Sequence, residues 1–348
     1  MVRIGLIGFG YWGPNLARAF SETKGATLAA ISDLNPARRQ RAETRHPGVL
    51  VTEDQSRLID HPEVDAIAIA TPVSTHFPLA MAALKAGKHV LVAKPITAST
   101  EEASQLIDEA GRRGLVLMVD HTFLFSGAVR RIRDLVAHGE LGDIHYYDSV
   151  RVNLGLFQHD VNVIWDLAVH DLSILDYVLP ARPRAVSATG MSHVPGGPEN
   201  IAYITLFFAG RVIGHVHVNW LAPVKIRRTL LGGSRRMVVY DDLEPSEKVK
   251  IYDCGVTAHD AGPESIYQIL YDYRMGDMWA PQLDRSEPLA IEVAHFVECI
   301  ETGRVPISDG HSGRRLVRIL AAATESLRNK GARVELEPDE PGQPAKQP

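Results

Sequence analysis

The chain has 348 residues, 45% hydrophobic and 23% charged, with a formal net charge of −5. That length exceeds one ordinary core and predicts two domains, and the composition is that of a globular protein. The mild negative charge, without a basic stripe or tail, excludes a nucleic-acid partner, and no apolar run reaches the roughly 20 residues a membrane span needs.

Residues 2–7 are a continuous apolar run, as expected of a strand buried on both faces. A glycine-rich turn and a helical pattern through Ala17, Ala19 and Phe20 follow. Strands are predicted over 27–33, 65–71, 89–95 and 115–120, with helices over 36–45, 78–86 and 100–113 between them. Alternating strand and helix predict a doubly wound parallel sheet, the Rossmann arrangement, over residues 1–120. The rhythm then changes. A helix over 128–138, a long strand over 144–153 and a helix over 165–179 precede short β runs: AVSAT, IAYITLFF, RVIGHVHVNW, IRRTLLG and RMVVYD. Their alternation predicts a C-terminal α+β domain over 121–334 with a large, mostly antiparallel sheet. Two helices, about 289–302 and 312–330, finish it, the last expected to pack back on the first domain. Residues 335–348, rich in Pro, Glu and Gln, read as a disordered tail.

The two cysteines, Cys254 and Cys299, form no metal-spaced set, and the opening VRIGLIGFG reads as a strand rather than a signal peptide. A reducing, cytoplasmic location is expected. His215 and His217 share a strand face with Asn219, but a zinc site needs further ligands, so no metal is expected.

The segment Gly8-Phe9-Gly10-Tyr11-Trp12-Gly13 lies between a buried strand and a helix, the context a GxGxxG motif needs to bind a dinucleotide. Gly8 permits the tight turn, Gly10 lets the backbone approach a pyrophosphate, and Gly13 lets the helix pack close. The helix N-terminus offers free N–H groups to the phosphates. Asp33, twenty residues after Gly13, is placed to bind the ribose hydroxyls and repel a 2′-phosphate, which favours NAD. Arg38 and Arg39 follow; they fit either a 2′-phosphate or a solvated helix face.

With GFGYWG, the segments ATPVSTH (70–76), AKP (93–95) and DLAVH (166–170) resemble the glucose–fructose oxidoreductase, inositol dehydrogenase and rhizopine-catabolism (Gfo/Idh/MocA) family over residues 2–330. HTFLFS (121–126) and residues 151–179 are similar to its sugar-nucleotide branch. The resemblance implies cofactor contacts from Thr71, Pro72, His76 and Lys94, and a catalytic Lys94, His170 and Asp166. It further implies an NAD-dependent dehydrogenase that oxidises a ring hydroxyl, at C3, of a UDP-N-acetylhexosaminuronate or similar nucleotide-linked sugar in polysaccharide precursor synthesis. An inositol or free-sugar dehydrogenase and a non-catalytic NAD-binding regulator on the same scaffold are the alternatives. A homodimer or homotetramer is expected, because relatives associate through the open face of the second sheet. Two departures from the family stand out: Ala93 replaces its usual Glu, and Asp171 and Ser173 break its usual HxxD pattern.

Oxidising a secondary alcohol needs a base for the hydroxyl proton, and an imidazole titrating near about 6.5 suits that task. Asp166 precedes His170 by four residues, so on a helix the two share a face. Lys94, at the carboxyl end of a strand, is placed to hold a developing alkoxide or to act as the base itself. His121, Arg151 and Asn153, the last two on one strand face, join Lys94, Asp166 and His170 as candidate substrate residues. Phe157 and Trp165 suit either the core or a sugar pocket.

Overall fold

The computed structural model describes residues 1–155, 161–258 and 271–337. They fall into two compact units: Met1–Ser126 with Arg285–Arg318, and Gly127–Asp284 with the chain from Ile319 onward.

In the first unit the order is β1 (Val2–Ile7), α1 (Gly13–Glu22), β2 (Ala26–Ser32), α2 (Pro36–Arg45), β3 (Leu50–Thr52), α3 (Ser56–Ile59), β4 (Ala66–Ile69), α4 (His76–Lys85), β5 (His89–Ala93), α5 (Thr100–Arg113) and β6 (Leu117–Asp120). The strands form one parallel sheet in the order β3-β2-β1-β4-β5-β6. Winding reverses between β1 and β4, the point at which open α/β sheets bind ligands. All four residues of β4 are buried, as in a sheet covered on both faces. Local signals set the helix ends. The Ser99 side chain accepts from the Glu102 N–H at 3.2 Å at the start of α5, and Gly114, at φ 66°, closes it in the left-handed region.

The second unit opens with α6 (Gly127–Ala137) and β7 (Ile144–Leu154). A π-helical turn over Ile164–Ala168 leads into α7 (Val169–Val178). Then come β8 (Pro183–Met191), β9 (Ile201–Phe208), β10 (Ile213–Asn219), β11 (Leu221–Gly233), β12 (Met237–Asp241), β13 (Val249–Ala258) and β14 (Tyr271–Trp279). After α8 (Pro288–Thr302) and α9 (Gly310–Arg328), β15 (Val334–Glu335) closes a nine-stranded sheet, β14-β13-β12-β11-β7-β10-β9-β8-β15. Only the β7–β10 pair is parallel, so the sheet is mostly antiparallel. Alternation divides its faces. Ala202, Ile204, Leu206, Val216 and Val218 are buried, while Tyr203, His215 and His217 project from the other face.

Three features differ from the sequence reading. Strands β3, β13 and β14 were not expected. Helix α8, read as part of the second domain, belongs to the first unit, as does the first half of α9, the helix expected to pack back on it: Phe296 meets Phe20 edge-on at 6.5 Å, and the Val119 N–H donates to the Ser308 carbonyl at 2.7 Å. The supposed tail gives up its first residues to the fold, since Glu335 pairs with Ala185 and Leu336 is buried. Among the described residues no helix is long and apolar enough to cross a membrane.

Candidate active site

The glycine loop, residues 8–13, joins β1 to α1 at the reversal of winding. Gly8 sits at φ 99°, and a Cβ there would lie 2.5 Å from the Ala70 carbonyl oxygen. A Cβ on Gly13 would collide with the Gly8 carbonyl oxygen. At Gly10 an added Cβ meets only the Arg38 guanidinium, at 3.5 Å, so the backbone is open to a phosphate. With the N-terminus of α1 behind it, this cradle fits a dinucleotide. Asp33, 7% exposed, accepts from the Phe9 N–H at 2.7 Å and the Asn35 N–H at 2.8 Å. Its charge thereby fixes the loop as well as the start of α2. Arg38 lies 3.7 Å from Asp33, while Arg39 is held by the Asp33 and Leu34 carbonyls. Arg41, which the sequence did not single out, donates to the Phe9 and Gly10 carbonyls and lies over the Phe9 ring. Phe9 is fully buried and Tyr11 is 89% exposed.

A negative charge at the end of β2 opposes a 2′-phosphate, so NAD should bind more tightly than NADP, and Asp33→Ala should narrow the gap. Fluorescence titration with both dinucleotides checks this; a clear preference for NADP in the wild type would overturn it.

Lys94 follows β5 and enters a cis bond to Pro95. His76 joins this turn to the loop after β4: its Nδ1 lies 2.8 Å from the Pro95 carbonyl and its Nε2 2.9 Å from that of Thr71. The ring is fully buried, and burial lowers its pKa below the ordinary imidazole value. The His76 ring, expected at the cofactor, is an internal joint between two loops, which counts against a direct contact. Thr71 turns its hydroxyl to Thr75, at 2.7 Å, and Pro72 stands just before a short 3-10 turn. The Trp12 indole, expected at the cofactor, donates to Asp120 at 2.5 Å. Ala93 pairs in register with Asp120, so the acidic neighbour missing at position 93 stands one strand over. His121 is 2% exposed, which counts against the direct substrate contact expected of it.

In the second unit Asp166 lies in the π-helical turn and His170 in the first turn of α7, both half-buried. The wider π turn changes the phase between them from that of a plain α-helix, and such turns recur at functional sites. Asp166 accepts from the Trp220 indole at 3.1 Å. A Cβ on Gly155 would lie 2.9 Å from Asn153 Nδ2 and 3.2 Å from Trp220 Cδ1, so Asn153, Trp220 and Asp166 form one neighbourhood. Trp220 was not foreseen. The Trp165 indole donates to Thr324 at 2.9 Å; Phe157 lies outside the described residues.

Arg151 is corrected. Its guanidinium is 4% exposed and paired with Asp171, Nε to Oδ2 at 2.6 Å. Asp171 also holds the chain nearby, since its carbonyl accepts from the Tyr147 hydroxyl at 3.0 Å. Two buried charges so joined brace the core of the second unit, which counts against the direct substrate contact expected of Arg151. No group of His, Cys, Asp or Glu that could hold a metal occurs among the described residues.

The chain matches two family models. One describes an oxidoreductase family with an NAD-binding Rossmann fold (GFO/IDH/MocA), over residues 2–121; the other is the GFO/IDH/MocA C-terminal domain, over residues 129–239. It is 33% identical to the uncharacterized oxidoreductase YdgJ of Escherichia coli, over 71% of this chain and 73% of the relative. It is 28% identical to the UDP-N-acetylglucosamine 3-dehydrogenase of Acidithiobacillus ferrooxidans, over 93% of this chain and 96% of that one. A solved structure of that enzyme superposes with a TM-score of 0.77 at 26% identity, covering 94% of this chain and 98% of the other. The NAD-dependent scyllo-inositol 2-dehydrogenase of Bacillus subtilis is 25% identical over 94% of each chain.

Proposed function

The chain belongs to the Gfo/Idh/MocA family of oxidoreductases, with an NAD-binding Rossmann domain, and on that premise we propose that it oxidises a ring hydroxyl, at C3, of a nucleotide-linked sugar such as a UDP-N-acetylhexosaminuronate. The observation that carries this reading is the near full-length likeness, in sequence and in fold, to a UDP-N-acetylglucosamine 3-dehydrogenase. Bound NAD supplies the hydride acceptor. His170 takes the hydroxyl proton, Asp166 orients the imidazole or completes the substrate contacts, and Lys94 stabilises the alkoxide by charge. The Trp220 indole fixes the Asp166 carboxylate in turn. Asn153, in the same neighbourhood, is a substrate contact. Polysaccharide precursor synthesis is the setting in which such a sugar would be made.

Inositol dehydrogenases among the relatives support a second reading, a dehydrogenase of a free polyol. Thermal denaturation with NAD present separates the two. UDP-N-acetylglucosamine or its uronate should raise the melting temperature and myo-inositol should not; a ligand at about a hundred times its Kd stabilises by about 2.7 kcal/mol. The reverse pattern would replace the first reading by the second.

The second sheet's projecting face also supports self-association. His217 stacks on Tyr203 at 4.4 Å, His215 lies 3.3 Å from Asp148, and Tyr203 and Ile213 are 44% and 48% exposed. A symmetric dimer or tetramer built on this face should appear by light scattering at micromolar concentration, and Tyr203→Glu with Ile213→Glu should shift it toward monomer. Monomer alone in the wild type would count against the assembly.

A further inference from the structure

Two acidic side chains of the first unit have no part in the chemistry above. Asp120 ends β6, and Glu292 lies one turn into α8; they are 4% and 0% exposed. Asp120 is surrounded by donors. The Trp12 indole reaches Oδ2 at 2.5 Å and the Thr122 hydroxyl reaches Oδ1 at 2.8 Å. Glu292 meets the same carboxyl, and Lys94 acts on it by charge. The Glu292 oxygens face Asp120, Thr122 and the backbone of His121, and neither makes a hydrogen bond of ordinary geometry. The other titratable groups nearby are His121 after β6, His76 beside Lys94 and His295 one turn further along α8.

Two carboxylates in contact in a dry interior do not both ionise. Burial pushes Glu292 well above the ordinary carboxylate range, and the charge of Asp120 pushes the same way. Burial raises Asp120 as well, but by less, because Thr122, Trp12, Glu292 and Lys94 pull it back toward the ordinary range. The asymmetry assigns the proton to Glu292 and the charge to Asp120.

We propose that Asp120 and Glu292 form a one-proton carboxyl pair whose single negative charge, through the Trp12 indole, positions the glycine loop that receives the dinucleotide. Glu292 donates its proton toward Asp120 and is a positioning residue; it touches neither substrate nor cofactor. The pair does not depend on the catalytic roles proposed above.

Infrared spectroscopy of the full chain without cofactor or substrate, in deuterated buffer at neutral pD, reads the shared proton directly, so its failure is separate from failure of the dehydrogenase reading. The difference between wild type and Glu292→Gln should contain a carboxylic-acid C=O band; a difference holding only carboxylate bands overturns the pair. Titration with NAD reads the positioning. Trp12→Phe, which removes the indole N–H and keeps a ring, and Asp120→Asn should each weaken NAD binding about tenfold, as expected for losing a hydrogen bond to a charged group. Glu292→Gln keeps a neutral donor in place and should stay within about threefold of wild type. Wild-type affinity in both Trp12→Phe and Asp120→Asn overturns the positioning role.

Discussion

Replacing His170 by asparagine should lower the rate of NAD reduction by about 10²–10⁴, the usual cost of losing a general base, while NAD affinity changes less than twofold. The contrast follows from position. His170 lies in α7 of the second unit, whereas the residues that cradle the dinucleotide lie in the loop between β1 and α1 of the first. Lys94→Ala should cost about 10²–10³, the scale of removing one charged stabiliser of a developing oxyanion. Lys94→Arg should not rescue it, because a planar fork does not replace a compact ammonium at close range. Single-turnover reduction of bound NAD by the sugar nucleotide measures both. Near wild-type rates in His170→Asn and Lys94→Ala together would sink the proposed catalytic set.

The other large effect is on stability. Arg151 and Asp171 face each other in the core of the second unit, each side chain 4% exposed. Burial disfavours the arginine's charge, and Asp171 beside it more than restores it, leaving its pKa above the ordinary value. Truncating one partner strands the other charge in a dry interior, so Arg151→Met or Asp171→Leu should each cost about 3–5 kcal/mol. The double variant Arg151→Met with Asp171→Leu should recover most of that loss, because well-packed apolar residues replace a buried pair at little net cost. Urea unfolding followed by circular dichroism checks the three. A single variant losing less than about 1 kcal/mol would show that the pair does not hold the core together.

The same pair shows how far the sequence could be read. Arg151 and Asn153 share a strand face, and that much follows from alternation. Whether the face points inward depends on what the rest of the sheet and α7 bury, which no local pattern carries. Tyr147 and Ser149 precede Arg151 on this face and both are buried, so a long cation among them was already a sign of an internal partner. Glu292 offered a similar sign: it stands three residues after Leu289 and four before Phe296, on the stripe that α8 buries. The glycine loop and Asp33, by contrast, were legible because each acts through backbone geometry over a short, contiguous stretch. Strands β13 and β14 were missed for the opposite reason. They lie at the edge of the nine-stranded sheet, and Tyr273, Arg274, Met275, Gly276 and Asp277 run exposed in succession without the alternation that marks a half-buried strand. The π turn at Asp166 has no sequence signature at all, since it inserts into a pattern that still looks helical.

The division of the chain between its two units bears on synthesis. Most of the first unit precedes the second in the chain, yet it needs α8 and the start of α9, which follow the whole of Gly127–Asp284. Until those helices leave the ribosome, Phe20 lacks Phe296, the Val119 N–H lacks the Ser308 carbonyl, and Asp120 lacks Glu292. At ordinary elongation rates of about 5–20 residues per second that interval is on the order of 10 s. The dinucleotide-binding sheet, made before Gly127–Asp284, is therefore completed only after that segment. A nascent chain arrested before Arg285 exposes an apolar face for chaperones to hold, whereas one arrested after Arg318 can close it.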